Sequence, residues 1–165
     1  MSFVYYHSPI GLLHIKSHDG AQLHGIRFMR DKEPVEPAPH EFHPLLREAQ
    51  QQLDAYFTGR LKTFDLPLYM NDTPFIVSVW RELQTIPYGV TLSYGELARR
   101  IGAPKAARAA GQASGKNPFI IVVPCHRVIG AQGQLTGYRA GLERKVWLLN
   151  NELKIIGIQT DPELF

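Results

Sequence analysis

The chain predicts an α+β protein, with an N-terminal three-stranded antiparallel sheet and helix followed by a mainly helical half that contains a helix-turn-helix. Three observations predict it. Short β-branched and aromatic runs separated by turn residues fill the first thirty positions. Apolar positions recur at helical spacing from His43 onward. Composition then changes sharply at Met70–Pro74, which marks the boundary between a structural domain over 1–70 and a second domain over 71–165.

Phe3 to Tyr6 read as the first strand, Ser8-Pro9-Ile10-Gly11 as a turn, and Leu12 to Lys16 as the second strand. Asp19-Gly20 is a hairpin turn, because these residues accept the backbone angles a tight turn needs, and Leu23 to Phe28 form the third strand. Residues 32 to 40, with three prolines, connect to a helix whose apolar positions are Leu45, Leu46, Ala49, Leu53, Tyr56 and Phe57, ended by Gly59. Lys62 to Leu68 offer one more strand. In the second half, Phe75, Val79, Trp80 and Leu83 share one helical face, closed by the turn Ile86-Pro87-Tyr88-Gly89. Ser93 with Glu96 three residues on is a capping box that opens a short helix through Leu97 and Ile101, and Gly102 stops it. Pro104 stands at the first position of the next helix, Lys105 to about Ser114, and two short helices joined this tightly form the helix-turn-helix. Phe119 to Val123 read as a buried strand ending at Pro124, and a last helix runs from Leu142 to about Leu153.

One cysteine in 165 residues excludes an internal disulfide and cysteine-bound structural zinc, and it fits a reducing, cytoplasmic location. The N-terminus lacks the basic-then-apolar order of a signal peptide, and no apolar run approaches the ~18 residues that cross a bilayer. A net charge of +3 permits nucleic acid without demanding it. Its distribution says more. Between Arg99 and Arg144 lie eight basic residues (Arg99, Arg100, Lys105, Arg108, Lys116, Arg127, Arg139 and Arg144) and one acid, Glu143. Such a patch suits a polyanion.

That single cysteine, Cys125, follows the apolar run within Pro124-Cys125-His126-Arg127. A lone cysteine is commonly a small buried hydrophobe. As a nucleophile it needs a base or a positive field, since a free thiol near pKa ~8.5 is only slightly ionised at neutral pH. His126 is the candidate base, yet neighbours in an extended segment point to opposite faces. His126 therefore reaches the sulfur only if the chain turns there, or through water. Glu152 on the last helix is either an exposed helical residue or the carboxylate that orients His126. The helix from Pro104 to Gly115 carries very small side chains apart from Lys105, Arg108 and Gln112. It is either an alanine-rich core helix or one that approaches another backbone closely with Arg108 standing above it.

Pro124-Cys125-His126-Arg127-Val128, preceded by Asn117-Pro118 and followed by Gly137-Tyr138, resembles the active-site signature of the O6-alkylguanine-DNA alkyltransferases, also called methylated-DNA–protein-cysteine methyltransferases. The likeness extends through Ser8–Gly11, Ile86–Gly89, Ser93-Tyr94-Gly95, Ala106–Ala109, Leu148-Leu149 and Glu152, and so covers essentially the whole chain, most like the small stand-alone bacterial members.

The resemblance implies that Cys125 takes the alkyl group from O6 of guanine, activated by His126 and Glu152 through a water. It implies that Tyr94 presses on a phosphate and protonates the leaving base at N3, that Arg108 fills the gap left by a flipped nucleotide, and that Asn117 is a hinge. Lys105, Ala106, Ala107, Gly111 and Ser114 would accompany Arg108 and Tyr94 against DNA, the second helix of the pair entering the minor groove. Pro124, Val128, Tyr138 and Arg139 would shape the base pocket, with the Cys125 and Val128 carbonyls accepting from the guanine amino group. The implied partner is duplex DNA carrying O6-alkylguanine, with O4-alkylthymine a further candidate. No cofactor, metal or membrane is implied, and the protein would act as a monomer, with cooperative binding on DNA left open. A thioether does not hydrolyse back to a thiol, so each molecule would act once. The chain departs from the common pattern at Ile76, Ser114 and Arg139. Two other readings stand beside this one: a Cys–His hydrolase that turns over, and a protein that binds alkylated DNA without catalysis.

Overall fold

The computed structural model describes residues 1–39 and 43–160. The chain divides into two compact units, one made of Met1–Met70 with Pro118–Ile120, the other of Asn71–Asn117 with the chain from Ile121 onward.

In the first unit, β1 (Ser2–Ser8), β2 (Gly11–Ser17) and β3 (Gly25–Phe28) form an antiparallel sheet in sequence order. The register pairs Tyr6 with Leu13 and Ile15 with Ile26, so strand alternation places these apolar side chains on one face. Helix α1 (Pro44–Phe57) contributes Leu46, Ala49, Leu53 and Tyr56 to the same core, and Gly59 leaves the helix with φ +77°. Asp19 Oδ1 caps its turn by accepting from the amides of Ala21 and Gln22 at 2.9 and 3.0 Å.

Two expected strands take other forms. The third begins at Gly25 because Leu23 pairs elsewhere: its amide donates to Pro67 O and its carbonyl accepts from Tyr69 N, both at 2.8 Å. The expected strand at 62–68 shrinks to this bridge, since Pro67 has no N–H to extend a ladder and Asp65 is bonded to the buried side chain of Gln52. The apolar run 119–123 is likewise no continuous strand. Phe119 and Ile120 run alongside β3, with Ile26 N donating to Pro118 O and Ile120 N donating to Ile26 O. Ile121 then takes φ +72° and turns the chain. For a β-branched residue that conformation costs roughly 1–3 kcal/mol, so the surrounding packing must hold it. Ile121 is 1% exposed and Val123 fully buried.

The second unit is helical. Helix α2 (Pro74–Leu83) is capped by the Thr73 side chain, and β4 (Leu92–Ser93) leads into α3 (Tyr94–Arg100), where Ser93 and Glu96 complete the expected capping box. Helix α4 (Ala107–Gly115) starts later than its proline suggests. Ala106 N donates to Ala103 O at 2.8 Å, closing a turn that contains Pro104 and Lys105, and Ala106 is left non-helical. Trp80 Nε1 donates to Ala113 O at 2.9 Å and ties α2 to α4. A two-residue strand, β5 (Val128–Ile129), pairs in parallel with β4, and α5 (Leu142–Ile155) closes the unit. Among the described residues no helix is long and apolar enough to cross a membrane.

Candidate active site

Cys125, His126 and Arg127 form a single 3-10 turn between Pro124 and β5. The turn removes the opposite-face constraint of an extended chain. His126 is fully buried and its Nε2 lies 2.9 Å from Glu152 Oε1. Glu152 is itself fully buried, near the end of α5. Burial opposes its charge, but His126 and Arg127 outweigh that and hold the carboxyl well below the usual carboxylate range. An ionised carboxylate only accepts, so Nε2 carries the proton and Nδ1 holds the lone pair. Nδ1 is buried with no hydrogen-bond partner among the described residues. Burial also lowers the pKa of His126 against the pull of Glu152, which keeps the ring neutral. A neutral imidazole with a fixed tautomer and an open lone pair can accept a proton.

Arg127 was counted with the surface basic patch, and the structure removes it from there. It is 5% exposed; its Nε donates to both oxygens of Glu152 at 3.1 and 3.0 Å, and Nη2 donates to Oε1 at 2.7 Å. Nη1 donates to Ile86 O at 2.7 Å, and the guanidinium lies over the Tyr88 ring. Gly89 N adds a further donor to Glu152 Oε2 at 3.2 Å. Glu152 is therefore a buried carboxylate bonded to His126 and Arg127, and not an exposed helical residue.

Cys125 Sγ accepts from Asn117 Nδ2 at 3.2 Å, and the same amide donates to Val123 O at 2.7 Å. Burial pushes the thiol up, while the Asn117 bond and the nearby Lys145 ammonium pull it down. The upward effect prevails, so the sulfur is not pre-ionised and depends on a base. Lys145, absent from the sequence reading, is fully buried; its Nζ donates to Val128 O at 2.6 Å and to Thr136 O at 3.4 Å. Its signal was its place with Leu148, Leu149 and Glu152 on the buried stripe of α5, where a lysine needs a reason. Both carbonyls expected to meet a guanine amino group already hold one donor: Cys125 O takes Val128 N, and Val128 O takes Lys145.

A cleft of about 660 Å³ is lined by Tyr94, Arg108, Gly111, Tyr138 and Arg139, with Ala107 and Thr136 among its other walls. Tyr94 Oη donates to Thr136 O at 3.3 Å, and its ring packs so closely on α4 that a Cβ at Gly111 would lie 3.2 Å from it. At Gly111 the small residue thus makes room for the Tyr94 ring, which is intramolecular packing. The Tyr138 hydroxyl is buried without a hydrogen-bond partner among the described residues. Burial holds both tyrosines above their ordinary pKa. The structure therefore gathers Pro124, Cys125, His126, Asn117, Val128 and Glu152 in one cluster and Tyr94, Ala107, Arg108, Gly111, Tyr138 and Arg139 at the cleft. Lys105 and Ala106 precede α4, and Ser114, expected at the DNA surface, is 4% exposed.

A family model described as 6-O-methylguanine DNA methyltransferase, ribonuclease-like domain, matches residues 1–70, and its companion, the DNA binding domain, matches 74–154. A methylated-DNA–protein-cysteine methyltransferase of Methanosarcina acetivorans is 47% identical over 154 residues, covering 92% of this chain and 98% of the relative. The chain belongs to the methylated-DNA–protein-cysteine methyltransferase family. A second methylated-DNA–protein-cysteine methyltransferase, from Mycolicibacterium paratuberculosis, is 52% identical over 86% of each chain. Among solved structures of this family, Mycobacterium tuberculosis OGT in complex with DNA superposes with a TM-score of 0.84 at 45% identity, covering 100% of this chain and 99% of that one.

Proposed function

We propose that the protein repairs O6-alkylguanine in duplex DNA by transferring the alkyl group directly to Cys125, one lesion per molecule. The observation that carries this reading is the unpartnered Nδ1 of His126, held in one tautomer by Glu152, beside the chain's only thiol. A water between Nδ1 and the sulfur passes the thiol proton to His126. The thiolate attacks the alkyl carbon, the carbon–oxygen bond breaks, and guanine leaves after gaining a proton. Tyr94, kept protonated by burial, supplies that proton at N3 and presses on a phosphate. The base must leave the stack to reach the sulfur, at a cost of a few kcal/mol. Arg108, exposed on α4, occupies the vacated space, and phosphate contacts from Arg99, Lys105 and Lys116 offset the cost. Helices α3 and α4 act as the helix-turn-helix, with Ala106, Ala107 and Gly111 against the minor groove. Asn117 is the hinge, and Pro124, Val128, Tyr138 and Arg139 form the base pocket. The 71–165 domain does this work and the 1–70 domain supports it, in a cytoplasmic monomer.

Incubation with a duplex containing O6-methylguanine, followed by peptide mass measurement, tests the reading. One methyl group should appear on the Cys125 peptide, with guanine product never exceeding protein. Product in excess favours the turnover hydrolase. Binding without any transfer favours the non-catalytic reading. Cys125→Ser should keep DNA binding and lose transfer.

A further inference from the structure

The turn Ile86-Pro87-Tyr88-Gly89 carries no role in the transfer chemistry described so far, yet it meets the buried ion cluster at three points. Gly89 N donates to Glu152 Oε2 at 3.2 Å, Ile86 O accepts from Arg127 Nη1 at 2.7 Å, and the centroid of the Tyr88 ring lies 5.5 Å from Arg127 Cζ. The edge of the guanidinium is thus engaged by Glu152 and Ile86, while the Tyr88 ring lies against its face. A guanidinium donates from its edge and is weakly hydrated on its faces, which makes an aromatic ring a fitting partner there. Tyr88 is half-buried; burial foremost, then the Glu152 charge, pushes its hydroxyl up to about 12 against the pull of Arg127. The hydroxyl therefore stays neutral wherever His126 titrates and adds no charge of its own to the cluster.

We propose that Tyr88 is a positioning residue for the transfer: its ring holds the Arg127 guanidinium against Glu152, and through that pair holds the His126 base. The inference rests on the alkyl-transfer reading above and adds a residue to the same site. Tyr88 is not among the walls of the cleft, so its effect on transfer passes through the ion pair. The charged groups acting on His126 are Glu152 and Lys145 from α5 and Arg127 from its own turn, and burial is the largest influence, lowering its pKa. Removing the Tyr88 ring lets water onto the guanidinium and loosens its hold on Glu152. Weaker burial and a retreating Arg127 both let His126 bind a proton more readily. Water also screens the attraction of Glu152, which works the other way, but burial is the larger influence on this imidazole. A base that protonates more readily is neutral over a narrower range, so the acidic limb of the transfer rate moves to higher pH. A residue that merely filled space would change stability and leave that limb where it stands.

The test compares the full-length protein with Tyr88→Phe, which keeps the ring, and Tyr88→Leu, which keeps bulk without it; Tyr88→Met replaces the leucine variant should that one not fold. Single-turnover methyl transfer from saturating O6-methylguanine duplex is followed across pH, per folded molecule, and the ring nitrogen shifts of His126 are read by NMR. Tyr88→Phe should match the unaltered protein in both. Tyr88→Leu should move the acidic limb up by about half a unit, slowing transfer about threefold below the limb, the scale of one cation–π contact. The half-saturating duplex concentration should stay unchanged, and the His126 nitrogen shifts should show a protonated ring persisting to higher pH. An unmoved limb with unmoved nitrogen shifts in Tyr88→Leu, whatever happens to its melting temperature, overturns the proposal. So does a Tyr88→Phe variant that behaves like Tyr88→Leu, because the hydroxyl and not the ring would then matter. Absence of methyl transfer by the unaltered protein would instead overturn the alkyl-transfer reading, and the nitrogen shifts would still decide whether Tyr88 holds His126.

Discussion

In the first unit the buried polar side chains among the described residues are Ser17 and Gln52, both neutral. Each is satisfied by backbone: Ser17 Oγ donates to Gln22 O at 2.6 Å, and Gln52 exchanges two hydrogen bonds with Asp65. In the second unit they include His126, Arg127, Lys145 and Glu152. Neutral groups bonded to backbone cost little to bury, whereas each of these ionisable groups costs several kcal/mol unless another compensates it. The first arrangement suits a scaffold. The second is tolerated where charge and proton placement are the product.

The largest expected effect tests that contrast directly. Glu152→Ala leaves a buried guanidinium and an unoriented His126, and should destabilise the second unit by about 3–5 kcal/mol while abolishing transfer. Hydrogen exchange along α5 together with denaturant unfolding checks it; a loss under 1 kcal/mol would break the comparison. Next, Leu13→Ala in the fully buried face of β2 should cost about 2–5 kcal/mol. Here the transfer rate per folded molecule should stay unchanged, which active-site titration against folded fraction measures.

The pH dependence separates the units more finely. His126 and Glu152 both have folded pKa values below their unfolded ones, so the unfolded chain binds more protons as pH falls. Stability from Glu152 is complete above its ordinary value near 4.5 and is lost as pH drops below it; the His126 contribution is lost from about 6.5 downward. Denaturation midpoints at pH 7, 5.5 and 4 should fall in that order, and His126→Phe should flatten the step between pH 7 and 5.5. The smallest effect lies at a helix end. Ser93→Ala removes the cap on α3 and should cost about 1 kcal/mol without altering the pH profile, as thermal unfolding would reveal.

What could be read in the sequence was local. The capping box of Ser93 and Glu96 was legible because the partners are three residues apart, and the end of α1 because Gly59 supplies a positive φ. The signature around Cys125 marked the segment that the structure folds into the 3-10 turn Cys125–Arg127. What escaped depended on partners distant in the chain. Phe119 to Val123 is as apolar as a strand, but the pairing of Pro118 and Ile120 with Ile26 and the reversal at Ile121 are tertiary facts. Arg127 read as surface charge because nothing near it in sequence neutralises it; Glu152 does so from 25 residues away. Pro104 announced a helix start, yet the closing bond from Ala106 to Ala103 turned it into the preceding turn.

Glu152 gathers donors from two stretches remote in sequence, Gly89 and the His126–Arg127 pair, while Arg127 also donates to the carbonyl of Ile86 in the same turn as Gly89. It stands only four residues before the point where α5 gives way at Ile156, whose side chain rests against Gly89. One carboxylate near a helix terminus is thus the fastening for the whole Cys125–Arg127 turn. Fraying of the last α5 turn alone would release the base from its fixed tautomer, so trimming the chain back past Glu152 should silence the thiol while leaving every groove-facing side chain intact.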